Sequence, residues 1–347
     1  MIREALHRLA EGKSLSYEKT REVFEEIFEK RASAAQIAAF LFGLKRKGET
    51  EQEIAAAAAV VRSKARKILI RDNLVEIDTE DEFLVDTCGT GGSGVAKANI
   101  STGVAFVVSA AGVRVAKHGN RAMSSGCGSA DVLEALGVDV NVPPEIMADA
   151  IRATGIGFLY APLYHPALKE VAGIRREMGI RTIFNILGPL CNPAQATHQL
   201  LGVYRKDLVP VMARVLRRLG TKNALIVWSE DLKDEVSLSR PTYAALLRNK
   251  RVRQFLIRPG DFKLKRMRKV PPAVNDVRTS ARLLREVFRG EHNPARDLIL
   301  ANTAACFLMM GKVKELKAGV DMAAELIDSG AAGKKLKELK IFVADHA

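Results

Sequence analysis

The chain is poor in aromatic residues, which fill 5% of its 347 positions and include a single tryptophan, Trp228. Little surface is therefore available for stacking bases, which argues against a single-strand nucleic-acid module. There are four cysteines, Cys88, Cys127, Cys191 and Cys306, and no two of them form a C-x-x-C pair. A zinc ribbon or a disulfide framework is thus not expected, and free thiols in a reducing compartment are. No apolar run reaches the ~18 residues that a membrane helix needs. The opening Met1-Ile2-Arg3-Glu4 leads into charge rather than an apolar block, so no secretory leader and a cytoplasmic location are expected.

What is present is an ordinary globular balance, 48% hydrophobic and 27% charged, at a length that suggests about two domains. The net charge of +14 admits a nucleic-acid partner or a phosphate-rich substrate. Basic residues cluster at 62–71, 263–269 and 334–340 but are otherwise scattered, which favours a solvated basic surface over a nucleic-acid face.

Residues 1 to about 70 read as helices. Ser16-Tyr17-Glu18-Lys19 has the form of a helix start, and 34–44 carries apolar residues at helical spacing. After a break at Gly48-Glu49, Thr50 and Glu53 form a capping box for an alanine-rich helix over 53–66. The pattern then changes. Short apolar runs at 83–87, 113–116, 157–160 and 224–228 read as strands, and 131–136, 208–219, 301–310 and 320–327 as helices. Asn99 or Ser101 can cap a further helix that continues through 104–108. Strands alternating with helices predict an α/β fold, a mostly parallel central sheet flanked by helices.

Four segments can carry chemistry. The first is the loop Gly89-Thr90-Gly91-Gly92-Ser93-Gly94, between a strand and a helix start. That arrangement turns several backbone N–H groups toward an anion, and the helix dipole adds to the attraction. The loop fits G-x-G-x-x-G, but the second strand ends in Lys117-His118 where a dinucleotide site needs an acid. It is not a Walker A loop either, because Val95 follows Gly94 and Lys97 comes two positions late.

The second segment, Lys117-His118-Gly119-Asn120-Arg121, is expected straight after the second strand. Its cations suit phosphates, and His118 and Asn120 supply directed hydrogen bonds. Ser124, Ser125 and Ser129 follow as further donors to phosphate. The third is the acid pair Asp234-Glu235, which can hold Mg²⁺ together with substrate phosphates. The fourth runs from Arg175 to Pro193, a guanidinium beside an apolar wall shaped by Gly188 and Pro189, suited to a flat carboxylated ligand.

Taken in order, GTGG at 89–92, NIST at 99–102, KHGNR at 117–121, SADVLEALG at 129–137, GIRTIFNILGPLCNPA at 179–194, DEVSL at 234–238 and AELIDSGAA at 324–332 resemble the anthranilate phosphoribosyltransferase family. LKRKGET at 44–50 fits as well, so the resemblance spans nearly the whole chain.

It implies a helical N-terminal domain over 1–72, completed by helices within about 170–195, and an α/β phosphoribosyl-binding domain over 73–347. It implies a homodimer, and phosphoribosyl pyrophosphate and anthranilate as substrates, with two Mg²⁺ ions. By motif position, Gly89, Gly92, Ser93, Lys97, Asn99, Ile100, Ser101, Thr102, Lys117 and Ser129 would bind phosphoribosyl pyrophosphate. Gly89, His118, Asn120, His165, Arg175, Gly188 and Pro189 would bind anthranilate. Ser101 and Glu235 would ligate one ion, and Asp234 with Glu235 the other. A same-fold transferase or phosphorylase with another acceptor, and a non-catalytic nucleic-acid-binding relative, are the alternatives.

The loop departs from the family pattern. Ser93 stands where Asp is usual, and Lys97 and Ala98 where Thr and Phe are usual. Cys127 replaces a common Ser, and Thr279-Ser280-Ala281 replaces a segment containing Asn-Ala. One negative charge is lost and one positive charge gained beside the pyrophosphate. Lys97 is expected either to pair with pyrophosphate, reducing the need for Mg²⁺, or to point into solvent.

Overall fold

The computed structural model describes residues 1–68, 83–91, 95, 97–122, 127–265, 267 and 273–347. Gly92, Ser93, Gly94, Ser124 and Ser125 lie outside the described residues.

The chain begins with four helices, α1 (Ile2–Ala10), α2 (Tyr17–Phe28), α3 (Ala34–Lys47) and α4 (Glu51–Lys64). Their starts are written in the sequence. The Ser16 side chain accepts from the Lys19 N–H, and Ser33 with Gln36 and Thr50 with Glu53 form reciprocal capping boxes. Glu53 does more than cap. It is fully buried, accepts the Leu15 N–H at 2.9 Å and pairs with Lys47 at 2.9 Å, joining the helices from within.

The α/β part follows as β1 (Leu84–Gly89), α5 (Ile100–Ala110), β2 (Arg114–Gly119), α6 (Ser129–Leu136), α7 (Pro144–Thr154) and β3 (Ile156–Tyr160). Short helices α8 (Ala161–Tyr164), α9 (Lys169–Met178) and α10 (Phe184–Leu187) lead to β4 (His198–Gly202), α11 (Leu208–Arg218) and β5 (Asn223–Ser229). The hairpin β6 (Thr242–Arg248) and β7 (Arg251–Ile257) comes next, then α12 (Val277–Phe288), α13 (Pro294–Met310), α14 (Leu316–Asp328) and α15 (Ala331–His346).

Among the described residues seven strands form one sheet in the order β3-β2-β1-β4-β5-β6-β7. The first five are parallel, and β6 and β7 are antiparallel. The order reverses between β1 and β4, since β1 connects to β2 on one side while β4 returns on the other. That reversal opens a crevice at the carboxyl ends of the strands, where ligands of open α/β sheets bind.

Strands β4, β5 and β6 feed two cores by period-2 alternation. Leu200, Leu225, Val227 and Ala244 face α5 and the C-terminal helices. Leu201, Ala224, Ile226, Ala245 and Leu247 face α11 and the N-terminal helices. The second core also takes in Val171, Ile183 and Phe184, and Phe184 meets the Phe24 ring edge-on at 5.8 Å.

Two strand boundaries differ from the sequence reading. β2 extends through Gly119, so Lys117 and His118 lie within the strand rather than after it. β1 likewise runs on to Gly89, the first residue of the loop. In both, parallel pairing with a neighbour carries the backbone past the apolar run.

Candidate active site

Asn99 caps α5. Its Oδ1 accepts from the Thr102 N–H at 3.3 Å and the Thr102 hydroxyl at 2.6 Å. Its own N–H donates to Ser280 Oγ at 3.0 Å, and its amide lies 3.4 Å from Ser129 Oγ. Ser101 follows in the first helical turn. The Ile100 side chain is buried in the core and its N–H donates to the Ala98 carbonyl at 2.8 Å.

Lys117 is only 3% exposed. Its ammonium donates to the Thr87 carbonyl at 2.5 Å and to Ser101 Oγ at 3.1 Å. Burial pulls its pKa below the usual lysine range, and the neighbouring charge of Asp86 opposes that pull. Asp86, in the middle of β1, is fully buried. One carboxylate oxygen accepts the His118 N–H at 3.1 Å and the other accepts the Gln199 amide at 3.1 Å. Burial raises its pKa, and Lys117 counters. The sequence reading passed over Asp86, although an acid inside the run Phe83-Leu84-Val85-Asp86-Thr87 was a visible signal: a buried carboxylate needs a partner.

Asp234 and Glu235 lie on the loop after β5 and line a small crevice with Thr87, Ser101 and Gly202. The approach is close. A Cβ on Gly202 would stand 1.8 Å from the Asp234 carbonyl, so the end of β4 requires glycine; one on Gly89 would stand 2.8 Å from Asp234 Oδ2 and displace that side chain. Burial pushes the Glu235 pKa up to about 7; Lys97 and Lys117 act against that shift and Asp234 reinforces it.

Lys97 neither points into solvent nor stands free for a phosphate. Its ammonium pairs with Asp234 and donates to the Leu232 carbonyl at 2.9 Å. Arg121 is likewise engaged. It pairs with Glu134 at 2.6 Å and with Asp131 at 3.3 Å, so it braces β2 against α6 rather than offering charge to the crevice.

A second cluster adjoins the first. His118 Nε2 and His165 Nε2 lie 3.2 Å apart. Burial depresses both histidines, His118 to about 3 with help from His165, and His165 to about 4. Both are therefore neutral near pH 7. The Gly188 backbone faces His118, and the Pro189 carbonyl accepts from Gln199 at 2.6 Å. Gln199 thus ties the wall at 188–189 to Asp86.

Arg175 is half-buried, with its guanidinium 5.2 Å from the centre of the Phe184 ring, and burial lowers its pKa. Asn120 is exposed and accepts the Arg121 N–H at 2.8 Å. The structure does not bring Arg175 and Asn120 into contact with each other. A broader hollow of about 820 Å³, lined by Tyr204, Trp228, Tyr243 and Phe255, lies beside the start of α11 and holds none of these groups.

The oxygen donors Asp234, Glu235 and Ser101 share one crevice, and carboxylates with a hydroxyl are the donor types that suit Mg²⁺. Among the described residues no group of three or more His, Cys, Asp or Glu could hold a metal by itself. Mg²⁺ accepts that situation when substrate phosphates and water complete its shell. Among the described residues no helix is long and apolar enough to cross a membrane.

Residues 3–65 match the helical bundle domain, and residues 81–333 the α/β domain, of a glycosyl transferase family. The anthranilate phosphoribosyltransferase of Geobacter sp. (strain M21) is 46% identical over 344 residues, 98% of each chain. The crystal structure of the Thermus thermophilus enzyme of the same name superposes with a TM-score of 0.86 at 36% identity, covering 98% of this chain and 99% of that one. The Saccharomyces cerevisiae enzyme, in complex with PRPP and Mg, gives 0.87 at 27% identity over 99% and 98%. The chain belongs to the anthranilate phosphoribosyltransferase family of glycosyl transferases.

Proposed function

We propose that this chain transfers the phosphoribosyl group of phosphoribosyl pyrophosphate to the amine of anthranilate, releasing pyrophosphate in a step of tryptophan biosynthesis. The observation that carries the reading is Lys117. It is a buried ammonium on β2, held to Thr87 and Ser101, two residues that line the crevice of Asp234 and Glu235. The names of the relatives support the same substrates.

The reaction needs position and charge more than a covalent intermediate. The amine lone pair forms the C1–N bond as the C1–O bond breaks, and its electron pair leaves with pyrophosphate. The amine proton is then lost. Lys117 and the N–H groups at Gly89 and the start of α5 would face the leaving group, with Gly92, Ser93, Asn99, Ser101, Thr102 and Ser129 around the phosphoribosyl part. A bound Mg²⁺ would neutralise charge on the departing pyrophosphate. By motif position Ser101 and Glu235 would hold one ion; the second position, Asp234 with Glu235, is the one whose carboxylate Lys97 already engages. His118, His165, Asn120, Arg175, Gly188 and Pro189 would receive anthranilate, the neutral histidines giving directed hydrogen bonds in a dry wall.

A helical domain over 1–72, completed by 170–195, and an α/β domain over 73–347 is the division we propose; Val171, Ile183, Phe184, Ile186 and Leu187 pack in one core with the N-terminal helices. A homodimer through that part accords with the exposed Phe42 on α3 and with the exposed Ile180. A cytoplasmic location follows from the reaction class. The direct test is loss of anthranilate fluorescence on addition of phosphoribosyl pyrophosphate and Mg²⁺. Turnover is expected, and its complete absence would overturn the reading.

A further inference from the structure

The Lys97 contact concerns the acid pair rather than the substrate. The ammonium is held by two oxygens, the Asp234 carboxylate and the Leu232 carbonyl. A carboxylate and a carbonyl are the donors from which sites for hard cations are built. The side chains of Lys97 and Asp234 are 15% and 10% exposed, so solvent screens the pair far less than it screens a surface ion pair.

Both partners are anchored. The Asp234 backbone packs on Gly202, and its free oxygen lies against Gly89. Lys97 stands two residues before Asn99, which is fastened to Ser280 and caps α5. A divalent ion at Asp234 would meet the ammonium already on that carboxylate, and the two like charges would repel strongly at such range. The Ser101 and Glu235 side also meets a cation, but there Lys117 donates at 3.1 Å to a hydroxyl rather than to the carboxylate, and the buried Asp86 offsets its charge.

We propose that the Lys97 ammonium occupies the place of one of two divalent cations at this acid pair, so that the protein takes up a single metal ion, on the Glu235–Ser101 side. The identity of the acceptor rests on the transferase reading, whereas the metal count is read from ion binding and needs no turnover. The balance is one of charge. Asp234 and Glu235 supply at most two negative charges, and a built-in cation with one divalent ion already brings three positive ones, so a second divalent ion would find no carboxylate charge left to meet.

The test is a titration of the full-length protein with Mn²⁺ in the presence of saturating inorganic pyrophosphate, which supplies the phosphate oxygens, counting bound ions from the loss of the free-ion signal in electron paramagnetic resonance against a protein-free pyrophosphate blank. One ion per chain is expected for the wild type, and two for Lys97→Thr. Lys97→Met, which keeps the aliphatic stem, carries the same expectation if the threonine variant does not fold. Adding Asp234→Asn to either should return the count to one. Equal counts in the wild type and the folded variants, including no detectable binding in any of them, overturn the proposal. Anthranilate turnover is measured separately. A changed count without turnover would sink the transferase reading alone, and turnover with equal counts would sink this one alone.

Discussion

Lys117 and Lys97 bring positive charge to one crevice on two kinds of support. Lys117 sits inside β2, and sheet register sets its depth, pairing it with Phe158 on β3. Its bonds run to neighbouring scaffold, the Thr87 carbonyl and Ser101, and its counter-charge, Asp86, is wholly buried. Lys97 sits on a loop and pairs with Asp234, 137 residues away in sequence. A charge fixed by the sheet cannot shift without disturbing the core, so it suits an invariant task such as holding a leaving group. A charge placed by a loop can differ between relatives at little cost to the fold, so it suits the setting of metal demand.

Replacing the sheet-borne charge should have the largest effect. Lys117→Met is expected to lower kcat/KM by about 10²–10³-fold, the range for losing one preorganised donor to developing charge. Steady-state kinetics would check it, and a loss below tenfold would put the two lysines on an equal footing. Asp86→Asn comes next. Without the Asp86 charge, burial draws the Lys117 pKa lower still, so the protonated fraction falls as pH rises. A roughly tenfold loss at alkaline pH, easing toward neutrality, is expected in the pH–rate profile. A loss uniform across pH would mean that Asp86 acts through packing alone.

The smallest effect contrasts the charged side of the crevice with the neutral histidine side. His118 and His165 are held at about 3 and about 4, below their ordinary value of 6.5. The unfolded chain therefore binds protons that the native state refuses. The contribution of these groups to stability is complete above about pH 6.5 and is lost as pH falls toward 4. Chemical denaturation across that window should show the decline, and His165→Asn should flatten it by roughly 1–3 kcal/mol. An unchanged slope would show that these histidines are protonated in the native crevice.

How far the sequence could be read follows from which interactions are local. Ser16, Ser33 and Thr50 sit within three residues of the groups they cap, so the N-terminal helices were open to inspection, although Ser33 was not singled out. The five residues of β4 and the arginine-rich edge strand β7 lack a clear apolar signature, and neither was predicted. The β6–β7 hairpin turns at Asn249-Lys250, both at positive φ, and no glycine marks it. Among the candidate site segments, the Gly loop, the lysine–histidine segment and the acid pair stand out in the sequence as motifs. Their mutual contacts do not, because sequence spacing says nothing of partners more than 100 residues apart, as with Lys97 and Asp234 or Asp86 and Gln199.

The initial rate of anthranilate consumption as a function of free Mg²⁺, measured side by side for the wild type, Lys97→Thr and Lys117→Met, tests the division of labour most directly. The account predicts a first-order magnesium dependence in the wild type and a steeper, near second-order dependence in Lys97→Thr. For Lys117→Met it predicts a lowered plateau with the order unchanged. A change of order in Lys117→Met, or the same order in all three proteins, would contradict it.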